Sequence, residues 1–380
     1  MRILHFYKTA FPNTMGGVEQ VIDQIVRGTQ RLGINAEVLS LTTARSPCTT
    51  EMNGYKSHYA RRDFQIASTG FSVSVLRRFA QLVKGVDVVH YHFPWPFMDV
   101  VHFATQMKKP AIVTYHSDIT RQKCLLRLYR PLKNQFLKSV DRIVATSPNY
   151  LVSSDVLDRL QDKVSVIPIG LDKATYPQLT QSCLQDRRER VGSKFFLFVG
   201  AIRYYKGLHI LLEAAQGTDY PIVIVGAGPV ERELKIQAAA LGLRNIHFMG
   251  FLSDEDKVAL LMLCYAVVFP SHLRSEAFGV ALLEGAMYGK PLISSEIGTG
   301  TTFINIKGET GMVVPPSDPV ALREAMRYLW DHPDHAAEMG RRAEERYWKY
   351  FTADQMSSEY VRLYRDLADK LWFELRHQEI

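Results

Sequence analysis

The chain has 380 residues, 47% of them apolar and 22% charged, and a formal charge of +7. That length exceeds one ordinary core and suits two domains, and the composition excludes a disordered or fibrous chain. The longest apolar run, Val258–Pro270, is shorter than the roughly 20 residues of a spanning helix, and four scattered cysteines suit neither a zinc site nor a disulfide framework.

The charge is uneven. Residues 1–190 hold 26 Lys and Arg against 15 Asp and Glu, while residues 191–380 hold 20 against 24. A basic first half suits an anionic partner: a membrane surface, a nucleic acid or a phosphorylated substrate. The N-terminus lacks the apolar stretch and cleavage site of a signal peptide, so a reducing cytosol is the expected compartment.

In chain order, RILHFY is predicted as a strand. The following GGVEQVIDQIVRGTQRLG carries Val18, Val21, Ile22, Ile25, Val26 and Leu32 at helical spacing. Gly16 and Gly17 open that helix, where missing side chains let a ligand approach backbone amides; a flexible loop end explains them equally well. AEVLSL, DVVHYH, AIVTYH, DRIVAT and VSVIP follow as short β-rich runs, with helical stretches between most of them. The alternation predicts a parallel sheet covered by helices.

His90 and His92 flank one strand end, and His116 lies just past another. A lone histidine in such a fold is more often structural, and no pair has metal spacing. Arg121–Arg142 contains seven basic residues and one acid, interleaved with Leu125, Leu126, Leu128, Tyr129, Leu132, Phe136, Leu137 and Val140. It is predicted as a basic amphipathic helix, broken or kinked near Pro131. It suits an anionic membrane surface, or its own sheet with a solvated basic face.

Leu171–Ser193 is polar, lacks clean periodicity and coincides with the charge shift, so it is predicted as a linker. The strand-and-helix order then repeats with FFLFVG, PIVIVG, NIHFMG, AVVFP and PLIS, and the chain from Asp318 onward is mostly helical. Two doubly wound domains imply a cleft, and ligands in such sheets bind beyond the carboxyl ends of the strands. VGAIRYYKGLHILLEAA leaves a strand at Gly200 and enters a helix near Lys206. Arg203 and Lys206 oppose the dipole at that helix start, which makes sense if an anion such as a diphosphate sits between them, while a solvated turn with two surface cations would also explain them. VGAGPVERELK, containing Gly226, has Glu231 where a dinucleotide fingerprint needs a third glycine, so a tight turn with Pro229 in the first helical turn explains it. SDED reads as Ser253 capping a helix with acids in its first turn rather than as a metal site. In SEAFGVALLEGA, Glu276 falls in a loop and Glu284 one turn into a helix, on an apolar stripe. Two acceptor-only side chains suit a polyol, while an internal ion pair would also explain Glu284.

Together, E-x7-E as EAFGVALLE, RYYKG upstream, GG after the first strand and GETGMVVPPSDP near the end resemble the retaining glycosyltransferases of family 4 over nearly the whole chain. LHFYKT, GGVEQVI, RYYKGL and IGTGTTFINIKGETG resemble the bacterial O-antigen mannosyltransferases within it. The resemblance implies a GT-B fold: an acceptor-side Rossmann-like domain over 1–180, a nucleotide-sugar domain over 190–354, and a final helix, about 355–380, returning to the first. It implies that Glu276 holds donor sugar hydroxyls and that Glu284 holds the ribose, its missing partner being the ligand. Arg203 and Lys206 would hold the diphosphate, although many members carry the arginine where this chain has Ala201. Gly16, Gly17, Gly200, Gly226, Ala277, Phe278, Gly279 and Val280 would line the donor, and His116 would lie beside its sugar. The implied donor is GDP-mannose or GDP-D-rhamnose, with an α-linked product and no metal or other cofactor. The implied acceptor is an undecaprenyl-diphosphate-linked glycan. Arg121, Lys123, Arg127, Arg130 and Lys133 would meet it or the cytoplasmic face of the inner membrane, and other O-chain glycosyltransferases are further candidate partners. A UDP-sugar transferase or a nucleotide-sugar epimerase would share the architecture. A nucleic-acid-binding protein is disfavoured, because no aromatic–basic strand pattern of an RNA module is present.

Overall fold

Runs of Val, Ile, Phe and Leu become the central strands, buried on both faces, as a helix-covered parallel sheet requires. The computed structural model describes all residues except 15, 45–47, 67–68, 120–122, 193 and 379–380, and the side chains of 52, 123–124, 183, 190 and 370–378 also lie outside the description. The chain divides into two units, Met1–Leu171 with Ala353–Ile380, and Asp172–Thr352.

Unit 1 contains β1 (Arg2–Phe6), β2 (Asn35–Thr42), β3 (Cys48–Met52), β4 (Tyr55–Arg61), β5 (Phe64–Ile66), β6 (Thr69–Phe71), β7 (Val88–Phe93), β8 (Ala111–Tyr115), β9 (Arg142–Ala145) and β10 (Val164–Val166). Eight of them form one sheet in the order β10-β9-β8-β7-β1-β2-β4-β3, and β5 and β6 form a separate hairpin. The strand order reverses between β1 and β7. The sheet is not wholly parallel as expected, because β3 runs antiparallel to β4. The cause is Asn53-Gly54, both with positive φ, the two-residue turn that suits a right-twisted hairpin. One face of the sheet carries His5, His90, His92 and Thr114. The Ala353–Gln378 helix packs on it, with Tyr364 Oη 2.7 Å from His90 Nδ1 and Tyr360 Oη 2.8 Å from Thr114 Oγ1.

The Lys123–Ser139 helix runs unbroken through Pro131, so of the expected break or kink the break does not occur. Proline removes one backbone donor, but Pro131 and Arg127 are exposed, so water can take the freed carbonyl. Phe136 and Leu137 are buried, and Tyr129 donates to the buried Asp99 carboxylate. Leu125 and Leu128 point outward.

Unit 2 contains β11 (Phe196–Val199), β12 (Ile222–Val225), β13 (Ile246–Gly250), β14 (Ala266–Phe269), β15 (Leu292–Ser295) and β16 (Gly311–Val314). They form a parallel sheet in the order β13-β12-β11-β14-β15-β16. The order reverses between β11 and β14, so the loops leaving these two strands diverge and open a crevice. Most of the expected linker belongs to this unit. Gln181–Val191 is a polar helix without a marked apolar stripe, which hides it from periodicity, and Arg187 pairs with Asp256 at 2.6 Å. The long apolar run splits into the end of the Asp254–Leu263 helix and β14. Among the described residues, no helix is long and apolar enough to cross a membrane.

Candidate active site

The switch point of unit 2 brings the β11 and β14 loops together. After β11 the chain makes one 3-10 turn, Tyr204–Lys206, and the Leu208–Ala215 helix begins two residues later than expected. The loops touch backbone to backbone: a Cβ on Gly207 (φ +72°) would lie 2.0 Å from the Pro270 carbonyl oxygen. One on Gly226 would lie 2.0 Å from that of Gly200. His272 N donates to Tyr205 O at 3.0 Å. Only glycine permits such close approach, and it fixes where Lys206 points.

Lys206 and Glu276 meet in this crevice. The Lys206 ammonium donates to Glu276 Oε2, with each side chain 11% exposed. The ammonium also lies 4.6 Å from the centre of the Phe269 ring, and Ser271 Oγ donates to the same carboxylate at 3.4 Å. Burial of both charges is tolerable because each compensates the other. Arg203 is exposed and has no ion-pair partner among the described residues. Ala277 and Phe278 are buried, Ala277 O accepting from Gly300 N at 2.8 Å. Gly279 caps the Val280–Met287 helix.

Glu284 lies on the buried side of that helix. The expectation that it lacks a protein partner is corrected. Tyr176 Oη donates to its Oε1 at 3.0 Å, and Lys257 Nζ at 3.2 Å. Burial alone would lower the Lys257 ammonium, but Glu284 and Asp254 hold it above its ordinary value. Both bonds land on Oε1, so Oε2 keeps its acceptor capacity. Neither partner is visible in the sequence: Tyr176 lies in the supposed linker, and Lys257 follows the SDED segment. In that segment, Ser253 caps its helix by accepting from Asp256 N at 3.1 Å. Pro229 precedes the Glu231–Ala240 helix rather than sitting in its first turn, and a Cβ on Gly228 would lie 2.0 Å from Ile202 O.

In unit 1 the candidate residues also gather at strand ends. His116 follows β8, is 7% exposed, and its Nε2 lies 3.0 Å from His92 Nδ1. His92 Nε2 in turn lies 3.0 Å from His5 Nδ1. Burial pushes His5 and His116 down to about 3 and holds His90 and His92 well below the ordinary imidazole value. His5, His90 and His92 place ring nitrogens within 4.8 Å of one another, a cluster the sequence hid because it depends on β1 lying beside β7. Both nitrogens of His90 are engaged by the Tyr364 and Thr114 hydroxyls, and both of His92 by other imidazoles.

Gly16 precedes the Gly17–Arg31 helix, and the space a Cβ would take is filled by the Glu19 carboxylate, 2.4 Å away. The approach to backbone expected at Gly16 is therefore already occupied by an acid of the same helix. Of the basic residues, Arg121 lies outside the described residues, and Lys123 begins its helix. Arg127, Arg130 and Lys133 line a groove of about 680 Å³ with Lys138, Arg159 and the single acid Asp155. Burial lowers the Lys133 ammonium below its ordinary value, partly offset by Asp118.

Two doubly wound units, with charged pairs at the switch point of the second, define the class: the GT-B transferase fold. Sucrose-phosphate synthase from Thermosynechococcus elongatus superposes with a TM-score of 0.79 at 20% identity, over 96% of this chain and 98% of that one. Residues 15–175 match the model described as Glycosyltransferase Family 4, and residues 184–346 match Glycosyl transferases group 1. The chain is 63% identical to the D-rhamnosyltransferase WbpZ of Pseudomonas aeruginosa over 93% of each chain. It is 50% identical to the O-antigen chain mannosyltransferase C of Escherichia coli over 97% of this chain and 99% of that one. The chain belongs to the family-4 GT-B glycosyltransferases.

Proposed function

We propose that this chain transfers a mannosyl or D-rhamnosyl group from a GDP-sugar to a lipid-diphosphate-linked glycan in O-chain synthesis, with retention at the anomeric carbon. The observation carrying the reading is the buried Lys206–Glu276 pair at the unit 2 switch point, in a chain 63% identical to a D-rhamnosyltransferase. Lys206 and Arg203 take the diphosphate, Glu276 the sugar hydroxyls, and Glu284 the ribose through Oε2. His116 takes a sugar hydroxyl.

The chemistry follows from charge. As the bond from the anomeric carbon to the phosphate oxygen breaks, negative charge grows on the β-phosphate. A preplaced ammonium stabilises it, worth about 3–4 kcal/mol in the transition state. The acceptor hydroxyl attacks from the face the phosphate leaves, and the phosphate oxygen takes its proton. This scheme uses no metal and no covalent intermediate on the protein. The basic groove of unit 1 gives the anionic acceptor headgroup or membrane surface its electrostatic match, which supports a peripheral site on the cytoplasmic face of the inner membrane.

The test is transfer to a synthetic lipid-diphosphate glycan in EDTA, comparing GDP-mannose, GDP-D-rhamnose, UDP-glucose and UDP-N-acetylglucosamine. Transfer from a GDP-sugar is expected. Turnover of UDP-sugars alone would overturn the donor assignment, and sugar release or epimerisation without acceptor would overturn the transferase reading.

A further inference from the structure

The strand order β8-β7-β1 stacks three imidazoles into a chain: His116 Nε2 to His92 Nδ1 at 3.0 Å, and His92 Nε2 to His5 Nδ1 at 3.0 Å. Ring centroids along the chain are 5.3 Å apart at both steps, with interplanar angles of 20°. The chain has two different ends. His5 Nε2 is fully buried and has no hydrogen-bond partner among the described residues. Among the described residues His116 Nδ1 has no protein partner either, but it is not sealed from solvent.

A neutral imidazole has one donor and one acceptor nitrogen, and the bond each makes decides which is which. Burial keeps all three rings neutral. The proton order along the chain therefore has two solutions. In one, His5 Nε2 carries a proton with nothing to receive it. In the other, His5 Nε2 carries only a lone pair. An orphaned buried N–H is the rarer and costlier defect, so the second solution prevails. His5 Nδ1–H then donates to His92 Nε2, and His92 Nδ1–H donates to His116 Nε2. His116 must hold its proton on Nδ1.

We propose that His5 and His92 are positioning residues that lock His116 as the Nδ1–H tautomer, so that it offers a hydrogen-bond donor to an oxygen acceptor, the hydroxyl oxygen of a bound sugar. This rests on the reading of His116 given above. His90 stands outside the chain, since the Thr114 and Tyr364 hydroxyls occupy its nitrogens. The lock needs His92 for one property, a donor and an acceptor at opposite ends of one side chain. Glutamine has both; leucine has neither.

The test is a long-range proton–nitrogen correlation spectrum of the whole chain labelled with nitrogen-15 histidine, at neutral pH and without substrate. His116→Gln assigns the resonances. The wild-type spectrum is expected to show His116 protonated on Nδ1 and unprotonated on Nε2. Protonation on Nε2 would overturn the proposal, and this arm uses a variant only to assign the resonance. In His92→Leu the Nε2 lone pair of His116 loses its donor, so its nitrogen shift is expected to move to that of an unbonded acceptor and the Nε2–H form to become populated beside Nδ1–H, with kcat lower by about twofold or more and KM little changed. His92→Gln is expected to restore the Nδ1–H signature and most of kcat. An unchanged His116 signature in His92→Leu, or a mixed signature with wild-type kcat, would overturn it. Failure of the wild type to transfer any sugar would sink the proposed function instead, while the spectra would still decide the tautomer.

Discussion

The two units answer the same architectural problem with opposite electrostatics. Both are doubly wound sheets whose strand order reverses once, β1 against β7 in unit 1 and β11 against β14 in unit 2. At the first reversal lie buried imidazoles held neutral and bonded to one another. At the second lie full charges, Lys206 with Glu276 and Lys257 with Glu284, each tolerated because its counter-charge is in contact. Shared topology thus sets where functional groups stand, and side chains decide what they do. On the proposed function, unit 2 would exchange its internal ion pairs for an ionic ligand, and unit 1 would aim a neutral donor.

The sharpest way to break this contrast is to remove a charge from unit 2. Lys206→Ala is expected to lower kcat by about 10²–10³-fold, as loss of a preplaced transition-state donor does, with the far-ultraviolet circular dichroism unchanged. Near-normal turnover would remove Lys206 from the chemistry.

The second pair should matter first for folding. Lys257→Met leaves the Glu284 carboxylate buried with only Tyr176, and urea denaturation is expected to show a loss of about 3 kcal/mol. The double variant Lys257→Met/Glu284→Leu should recover most of that loss while weakening nucleotide binding. No recovery would mean that the pair is not energetically coupled.

The imidazoles predict a pH dependence of stability with a definite sign. His5 and His116 drop to about 3 and His102 to about 4 on folding, all by burial, from an ordinary value of 6.5. The unfolded chain therefore binds more protons below 6.5. Stability is full above 6.5 and is lost as the pH falls from there towards 3. Moving to about pH 5.5 should cost about 1.4 kcal/mol for each such histidine, read as a falling melting temperature. His102→Phe should flatten that slope, and an unchanged slope would contradict neutral burial of His102.

The smallest expected effect concerns the groove of the Lys123–Ser139 helix. Arg127→Glu/Arg130→Glu should weaken binding to vesicles rich in anionic lipid, by about 1 kcal/mol for each cation lost, and more at low salt than at high. Equal binding of wild type and variant would detach the groove from the membrane.

Much of this was legible in the sequence because parallel strands are short apolar runs and their ligand-binding loops follow directly. RYYKG and SEAFG could be placed after strands without knowing the strand order. What stayed hidden depends on distance across the fold. Tyr176 and Lys257 reach Glu284 from 108 and 27 residues away. His5 reaches His92 across 87 residues, only because β1 lies beside β7. The Gln181–Val191 helix was hidden for a different reason: it is mostly polar, so its period leaves no apolar stripe. Asn53-Gly54 is by contrast a readable hairpin signal, the two-residue turn that joins β3 to β4.

The most direct test of the division of labour is calorimetric titration of GDP into the wild type, Lys206→Ala and His116→Ala, paired with kcat for each. The account predicts that Lys206→Ala weakens GDP binding and that His116→Ala binds GDP as the wild type does while losing turnover. Equal loss of GDP affinity in both variants, or none in Lys206→Ala, would contradict it.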